Sequence, residues 1–365
     1  MLKIGINGFG RIGRLVLRAL LEKNETDLKV LAINDLGSLE QNIHLLKYDT
    51  VHGVLPFETS FRDNIANIGD QEIKFYNKRS PNEIPWEDHD IDIVLECTGK
   101  FNSKDESYKH IEAGAKKVIV SAPGKEAEQT VVYGVNHKNI SKKDHIISVA
   151  SCTTNCLAPL AFVIHKNFKI EKGYMTTIHS YTSDQRLLDN SHKDLRRARS
   201  APNAMVPTST GAAKSLKMII PDLDKKIDGI SIRVPTPNVS LIQLNFNSGK
   251  KITKDMINNS ILRASKTYLK NILGVEHKPL VSSDFNHDSR SSIVDIGLTK
   301  VIGDSFGTVF AWYDNEWGFS NRMIDMSLAL KNKIFAINSA TQFKINKGFL
   351  PILSDRFPQK GETKN

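Results

Sequence analysis

The chain has 365 residues, 40% hydrophobic and 25% charged, which suits an ordinary globular enzyme and is long enough for two domains with full cores. Lys and Arg number 50 against 40 Asp and Glu, but they are spread along the chain without interleaved aromatics, so no nucleic-acid module is expected; a net charge of +10 equally suits a phosphorylated substrate. Three irregularly spaced cysteines form no disulfide framework, and there is no signal-peptide pattern and no apolar run long enough for a membrane; a cytoplasmic protein with no membrane partner and no metal is expected.

Residues 2–7 predict a buried strand, after which Gly8-Phe9-Gly10-Arg11-Ile12-Gly13 opens a helix running to Glu22. A GxGxxG alone says little. Here a strand precedes it, an amphipathic helix follows, and a second strand over 29–34 ends in Asn34-Asp35. Asp35 lies about twenty residues beyond the last glycine, where a dinucleotide fold places a carboxylate on the ribose hydroxyls. The glycines would let the backbone approach a pyrophosphate at the helix N-terminus. The alternative is a tight turn with no ligand. Residues 64–84 read as a short antiparallel insertion, with Arg79 either near the adenine or merely structural. Apolar strands over 91–96 and 117–121, with a helix over 107–115, predict a parallel sheet covered on both faces. Ligands of such sheets sit at the strand C-terminal ends, so Thr98, Gly99 and Ser121 are expected beside the nicotinamide half of a cofactor. Residues 1–150 form this dinucleotide-binding unit.

The strand-like run 146–150 then meets Ser151-Cys152-Thr153-Thr154-Asn155-Cys156, and Leu157-Ala158-Pro159 continues as helix. A cysteine at such a junction lies near unpaired N–H groups and the positive end of the helix dipole, which favours thiolate. The Ser151 and Thr153 hydroxyls could hold an oxyanion or phosphate there. His179, ending the apolar run 174–179, is the best proton partner. Two plainer readings stand beside this: a small buried hydrophobe, or a metal ligand with Cys156, although no further Cys/His cluster completes a four-ligand site.

The second unit, 151–317, predicts an α+β domain on an antiparallel sheet, with strands over 173–178, 228–234, 239–246 and 306–313. Helices are expected near 253–270 and 318–330, the latter packing back on the first unit. The Arg-rich segment 180–206 is too long for an idle connection and reads as a functional or interface loop. Arg196-Arg197, Thr208-Ser209-Thr210-Gly211 and Arg233 are the groups that two separate phosphate-like anions require. Arg196 to Arg199 could equally be a solvated face, whereas Arg233 sits in an apolar strand and needs a partner.

Ser151 to Pro159 resembles the active-site signature of the phosphorylating glyceraldehyde-3-phosphate dehydrogenases. The similarity runs over residues 2–330 and takes in Asn7 to Arg14, Ala32 to Asp35, Thr176 to His179, His192 to Arg197, Ser209 to Lys214, Arg233 to Asn238 and Trp312 to Glu316. It implies an α/β protein with a doubly wound parallel-sheet NAD-binding domain and a second α+β catalytic domain. Cys152 would be the nucleophile and His179 its base. Thr182 and Arg233 would hold the substrate phosphate, while Ser151, Thr153, Arg197, Thr210 and Gly211 would hold inorganic phosphate. Asn7, Gly8, Phe9, Gly10, Arg11, Ile12, Asn34, Asp35, Arg79, Thr98, Gly99 and Ser121 would line the cofactor site, with Asn315 on the nicotinamide amide. The implied reaction converts glyceraldehyde 3-phosphate, NAD and phosphate to 1,3-bisphosphoglycerate through a hemithioacetal and a thioester, in glycolysis and gluconeogenesis, within a homotetramer whose 180–206 segment packs between subunits.

Departures from the family pattern matter. Asn190-Ser191 replaces the Leu-Pro of many strictly NAD-dependent members, whereas the Asp35 carboxylate would repel a 2′-phosphate, so NAD is expected with NADP as a secondary cofactor. Phe319 replaces a common tyrosine. Residues 284–288 and 315–319 are also similar to erythrose-4-phosphate dehydrogenases, the alternative reading, although Thr182-Ser183-Asp184 and Ser209-Thr210-Gly211 favour the triose enzyme. A non-catalytic dinucleotide- or nucleic-acid-binding protein would have lost Cys152, His179 or Arg233, and all three are present. The Lys-rich residues 331–365 are expected to be a partly ordered extension of unknown role.

Overall fold

Leu2–Asn7 is buried along nearly its whole length, which is why its sequence shows no polar alternation. In the computed structural model, which describes residues 1–346, this strand is the middle of a nine-stranded sheet. Leu28–Asn34 and Gln71–Tyr76 pair parallel on one side of it, and Ile93–Glu96, Lys117–Val120, Ile146–Ser148 and Gln129–Thr130 on the other. The insertion begins at Thr59, earlier than predicted. Thr59–Arg62 and Ile65–Ile68 are antiparallel, but Gln71–Tyr76 joins the parallel ladder.

The helix predicted over 107–115 is Lys104–Glu112. Its start is set by a reciprocal cap: Glu106 N–H donates to Ser103 Oγ (3.3 Å), and Ser103 N–H donates to Glu106 Oε2 (3.1 Å). Gly114, at φ 100°, lies just past its end.

The second sheet has eight strands. Its centre is antiparallel, with Ser240–Ser248 between Ile170–Ser180 and Phe306–Tyr313. Two pairs are parallel: Ile170–Ser180 with Ile227–Val234, and Leu273–Glu276 with Ser292–Asp295. Helices Cys152–Phe168, Ala212–Ile219 and Lys254–Lys266 supply apolar faces to its core.

The last helix, predicted to stop at 330, runs from Trp317 to Asn346. Trp317, Phe319, Met323, Met326 and Leu330 join Ile4, Leu15 and Val30 in a single apolar cluster. Beyond 330 the helix stays tethered: Lys331 Nζ lies 2.6 Å from Asp27 Oδ1, and Ile334 is buried in the same cluster. The rest of the predicted extension, 347–365, lies outside the described residues. Among the described residues no helix is long and apolar enough to cross a membrane.

Candidate active site

The parallel strands end on a cavity of about 260 Å³, lined by Asn7, Gly8, Gly10, Asn34, Asp35, Arg79 and Thr98, together with Leu36, Lys78, Cys97, Lys100 and Phe101. Gly8 sits at φ 89°, and a Cβ there would lie 2.7 Å from Thr98 N. Gly13 lets the helix close on the strand, since a Cβ would come within 2.2 Å of the Gly8 carbonyl oxygen. Asp35 tightens this loop from the next strand: Oδ2 accepts from Phe9 N–H (2.8 Å) and Oδ1 from Gly37 N–H (2.8 Å). A backbone cradle free of side chains, at the first helix's start and with a carboxylate at the next strand's end, fits a dinucleotide.

Several predicted residues serve the cleft indirectly. The Phe9 ring is buried edge-on against Phe75, and Ile12 packs on the core. The Arg11 guanidinium turns to Asp49 and Glu316, at 2.5 Å each. Gly99 (φ 70°) turns the chain after Thr98, and Ser121 N–H donates to the Glu96 carbonyl; neither lines the cavity. Asn34 Nδ2 donates to Asn7 Oδ1 at 2.8 Å.

Sequence reasoning passed over Glu96. Its carboxylate, fully buried under the cleft, accepts from Asn7 Nδ2 (2.6 Å), Thr98 N–H (2.8 Å), the Thr98 hydroxyl and His110 Nε2 (3.0 Å). Trp86 Nε1 donates to His110 Nδ1 at 3.0 Å, which fixes the Nε2–H tautomer facing Glu96. The glutamate is visible in the sequence, but its inward direction is not.

Ala150, at φ 58°, breaks the strand direction just before Ser151, whose Oγ caps the next helix by accepting from Thr154 N–H (3.1 Å). Cys152 is therefore the first residue of helix Cys152–Phe168. Its Sγ lies 3.5 Å from His179 Nε2. The other imidazole nitrogen, Nδ1, lies 2.7 Å from the Ser180 carbonyl. With the proton assigned to Nδ1 and donated to that carbonyl, Nε2 turns a lone pair to the sulfur.

Arg233 stands behind both groups. Its Nη1 lies 3.0 Å from His179 Nδ1, 3.1 Å from the Ser180 carbonyl and 3.5 Å from Thr182 Oγ1. Burial, with Arg233 adding to it, pushes His179 down to about 3. Burial pushes the Cys152 thiol up, against the opposing pull of Arg233 and the Thr153 N–H. Burial thus opposes the thiolate that the helix terminus favours.

A second omission is Tyr313. Its buried hydroxyl lies 3.0 Å from Thr153 Oγ1 and 2.9 Å from Thr177 Oγ1, and its ring meets His179 edge-on at 5.9 Å. It ties the cysteine's helix to the histidine's strand. Asn315 Oδ1 accepts from the Ser180 and Ser240 hydroxyls, both at 2.9 Å, which fixes the amide with its Nδ2 as the remaining donor.

The anion residues divide into two groups. Thr182 and Arg233 adjoin His179. Arg197 is engaged by Asp184 and by Thr208 Oγ1 (2.9 Å), while Thr210 and Gly211 lead into helix Ala212–Ile219, with Ala212 N–H donating to Thr210 Oγ1 (3.2 Å). Val206 pairs with Arg233 and Ser209 with Ile230, so the two groups stand apart along the strand by roughly 10 Å.

A glycine cradle at the ends of parallel strands, with a second sheet domain that brings a helix-borne cysteine to a strand-borne histidine, defines the class as a dinucleotide-dependent oxidoreductase. Residues 2–104 match the family profile for the NAD binding domain of glyceraldehyde 3-phosphate dehydrogenase, and residues 151–315 match that for its C-terminal domain. The chain belongs to the glyceraldehyde-3-phosphate dehydrogenase family. It is 52% identical to the glyceraldehyde-3-phosphate dehydrogenase of Xanthobacter flavus over 328 residues, covering 90% of this chain and 98% of that protein. It is 50% identical to the Cereibacter sphaeroides protein of that name over 329 residues (90% and 98%), and 48% identical to the Geobacillus stearothermophilus one over 332 residues (91% and 98%).

Proposed function

We propose that the protein oxidises glyceraldehyde 3-phosphate to 1,3-bisphosphoglycerate with NAD and inorganic phosphate, Cys152 acting as nucleophile and His179 as base. The observation that carries this reading is the 3.5 Å contact of Cys152 Sγ with the free nitrogen of His179, backed by Arg233. Residues 1–150 would be the cofactor unit and 151–317 the catalytic unit.

The chain's own groups act in order. As sulfur bonds to the aldehyde carbon, the thiol proton passes to His179 Nε2 and on to the carbonyl oxygen, leaving a hemithioacetal. NAD, held by the cleft glycines, Asp35 and Asn315, would supply the hydride acceptor for that carbon. His179 takes the hydroxyl proton as the hydride leaves, and a thioester remains on Cys152. Phosphate, held by Ser151, Thr153, Arg197, Thr210 and Gly211, then attacks the acyl carbon; the C–S bond breaks, and Cys152 leaves as thiolate, taking its proton back from His179. Thr182 and Arg233 hold the substrate's own phosphate throughout. An anion there offsets the Arg233 charge that disfavours imidazolium, so substrate binding itself makes His179 a better base.

Asn315 Nδ2 would orient the nicotinamide amide, and the cleft glycines with Asp35 would take the pyrophosphate and adenosine ribose. The Asp35 carboxylate supports NAD as the main cofactor, and NADP as a secondary one rests on Asn190-Ser191. Leu187, Leu188, Leu195 and Met205, each at least 70% exposed, support packing of the 180–206 segment against further copies in a homotetramer. The three free cysteines support a cytoplasmic location.

The deciding experiment is the initial rate of NADH formation from the triose phosphate and from erythrose 4-phosphate, with and without phosphate. A phosphate-dependent rate, much faster with the triose and abolished by Cys152→Ala, is the expected result. Faster turnover of the tetrose, indifferent to phosphate, would overturn it.

A further inference from the structure

Under the cofactor cleft, one carboxylate gathers the strand ends that line it. Glu96 closes the strand Ile93–Glu96 and has no exposed surface. Its Oε2 accepts from Asn7 Nδ2 (2.6 Å) and His110 Nε2 (3.0 Å). Its Oε1 accepts from Thr98 N–H (2.8 Å) and from the Thr98 hydroxyl. Asn7 and Thr98 line the cleft, whereas Glu96 lies beneath it. The proposed reaction gives Glu96 no part.

The direction of each hydrogen bond in this group is fixed from its ends. Lys78 N–H donates to Asn34 Oδ1 at 2.7 Å, and the Lys78 carbonyl accepts from Asn34 Nδ2 at 3.0 Å, so backbone decides which end of that amide is oxygen. Asn34 Nδ2 also donates to Asn7 Oδ1, which turns Asn7 Nδ2 to Glu96. On the other side, Trp86 Nε1 can only donate; it makes His110 Nδ1 an acceptor and turns Nε2–H to Glu96. Thr98 N–H is a donor by nature. Donors therefore converge on both ends of the Glu96 head group, and only a side chain with two acceptor oxygens answers them all.

Two consequences reach the cleft. The Thr98 hydroxyl spends its one hydrogen on Glu96 and one lone pair on Lys100 N–H (3.1 Å). Its remaining lone pair can accept from a hydroxyl or an amine of a ligand, and the group has nothing to donate to a phosphate. The second consequence is mechanical. Asn7 ends the strand Leu2–Asn7, Asn34 ends Leu28–Asn34, and Lys78 follows Gln71–Tyr76, so one bonded chain runs from Glu96 across three neighbouring strand ends. A donor left unmatched at Glu96 would be buried, and relieving it would shift residues that line the cleft.

We propose that Glu96 is a positioning residue for the dinucleotide. By accepting from Asn7, His110 and Thr98 it sets the strand ends in the arrangement that binds cofactor, and it leaves Thr98 as an acceptor for a cofactor O–H or N–H. The role rests on the reading of the cleft as the NAD site. None of the Glu96 side-chain hydrogen bonds reaches Cys152 or His179, so Glu96 acts on the binding of NAD and not on the chemical step.

The test uses the full-length protein, with NAD binding measured by calorimetry beside steady-state rates and melting. Glu96→Gln keeps the shape but replaces one acceptor oxygen by a donor, which must oppose either Thr98 or the Asn7 and His110 donors. It should weaken Kd for NAD about tenfold. At saturating NAD, kcat and the KM for glyceraldehyde 3-phosphate should stay within about twofold of wild type. Glu96→Asp keeps both oxygens but withdraws them by one methylene. It should lose at least about threefold in NAD affinity, and it carries the test if Glu96→Gln does not fold. Trp86→Phe leaves Glu96 its four donors and is the control for stability alone: it should melt lower and bind NAD as wild type does. Wild-type NAD affinity in the Glu96 variants overturns the role, as does an equal loss of affinity in Trp86→Phe. A fall in kcat with Kd unchanged overturns it too, by moving Glu96 into the chemical step. Wild type that bound no NAD would refute the cofactor reading of the cleft, and this role with it.

Discussion

One guanidinium acts on both reacting groups, beside the burial that dominates each. Arg233 lies 3.0 Å from His179 Nδ1 and lowers the Cys152 thiol against the burial that raises it. Its removal has opposite consequences for the two: the imidazole gains a proton more readily, and the thiol gives one up less readily. Alkylation of Cys152 by a neutral reagent therefore rises with pH in the wild type, and in Arg233→Gln the rising limb moves to higher pH. At neutral pH the variant should react about tenfold more slowly for each unit of that move. A limb that stays in place would show that Arg233 does not act on the thiol. Cys97, raised by burial and by Glu96, and Cys156, raised by burial, serve as slow internal controls in the same digest.

At the scale of elements, the turn from Leu2–Asn7 into Arg11–Glu22 shows how a fold is bent to a purpose. Gly13 meets the Gly8 carbonyl oxygen with no room for a methyl group, while a Cβ at Gly10 would meet nothing within 4 Å. Gly13→Ala must push the helix off the strand, at a cost of about 1–3 kcal/mol, and should weaken NAD binding as well. Gly10→Ala should melt like the wild type. Equal melting of the two would refute this account of the turn.

This turn was legible in the sequence because local spacing carries it, and so was the Ser151–Cys156 junction. The cap that starts Lys104–Glu112 was also written there, as Ser103 and Glu106 at the right spacing, and was missed in favour of later apolar residues. Other features leave no local trace. Tyr313 meets Thr153 across 160 positions, and His52 meets His287 across 235; neither pairing is a property of its own segment. The burial that opposes a Cys152 thiolate leaves no local trace either, whereas the helix terminus that favours one can be read from sequence.

For the whole molecule, the exposed Leu187, Leu188, Leu195 and Met205 leave an apolar face on the 180–206 segment. Light scattering should give a mass of about four chains, and Leu188→Asp with Leu195→Asp should lower it with little change in the melting of the individual subunit. A monomeric wild type would refute the assembly. The path of the last helix has a different consequence. Trp317, Met323 and Leu330 complete an apolar cluster whose other members include Leu2, Ile4 and Leu15, so the first sheet cannot finish its core until nearly the entire chain has left the ribosome. During synthesis the nascent N-terminal half would carry an uncovered apolar face while the catalytic half is still being made, and that interval is when this protein would be most open to aggregation and most in need of a chaperone.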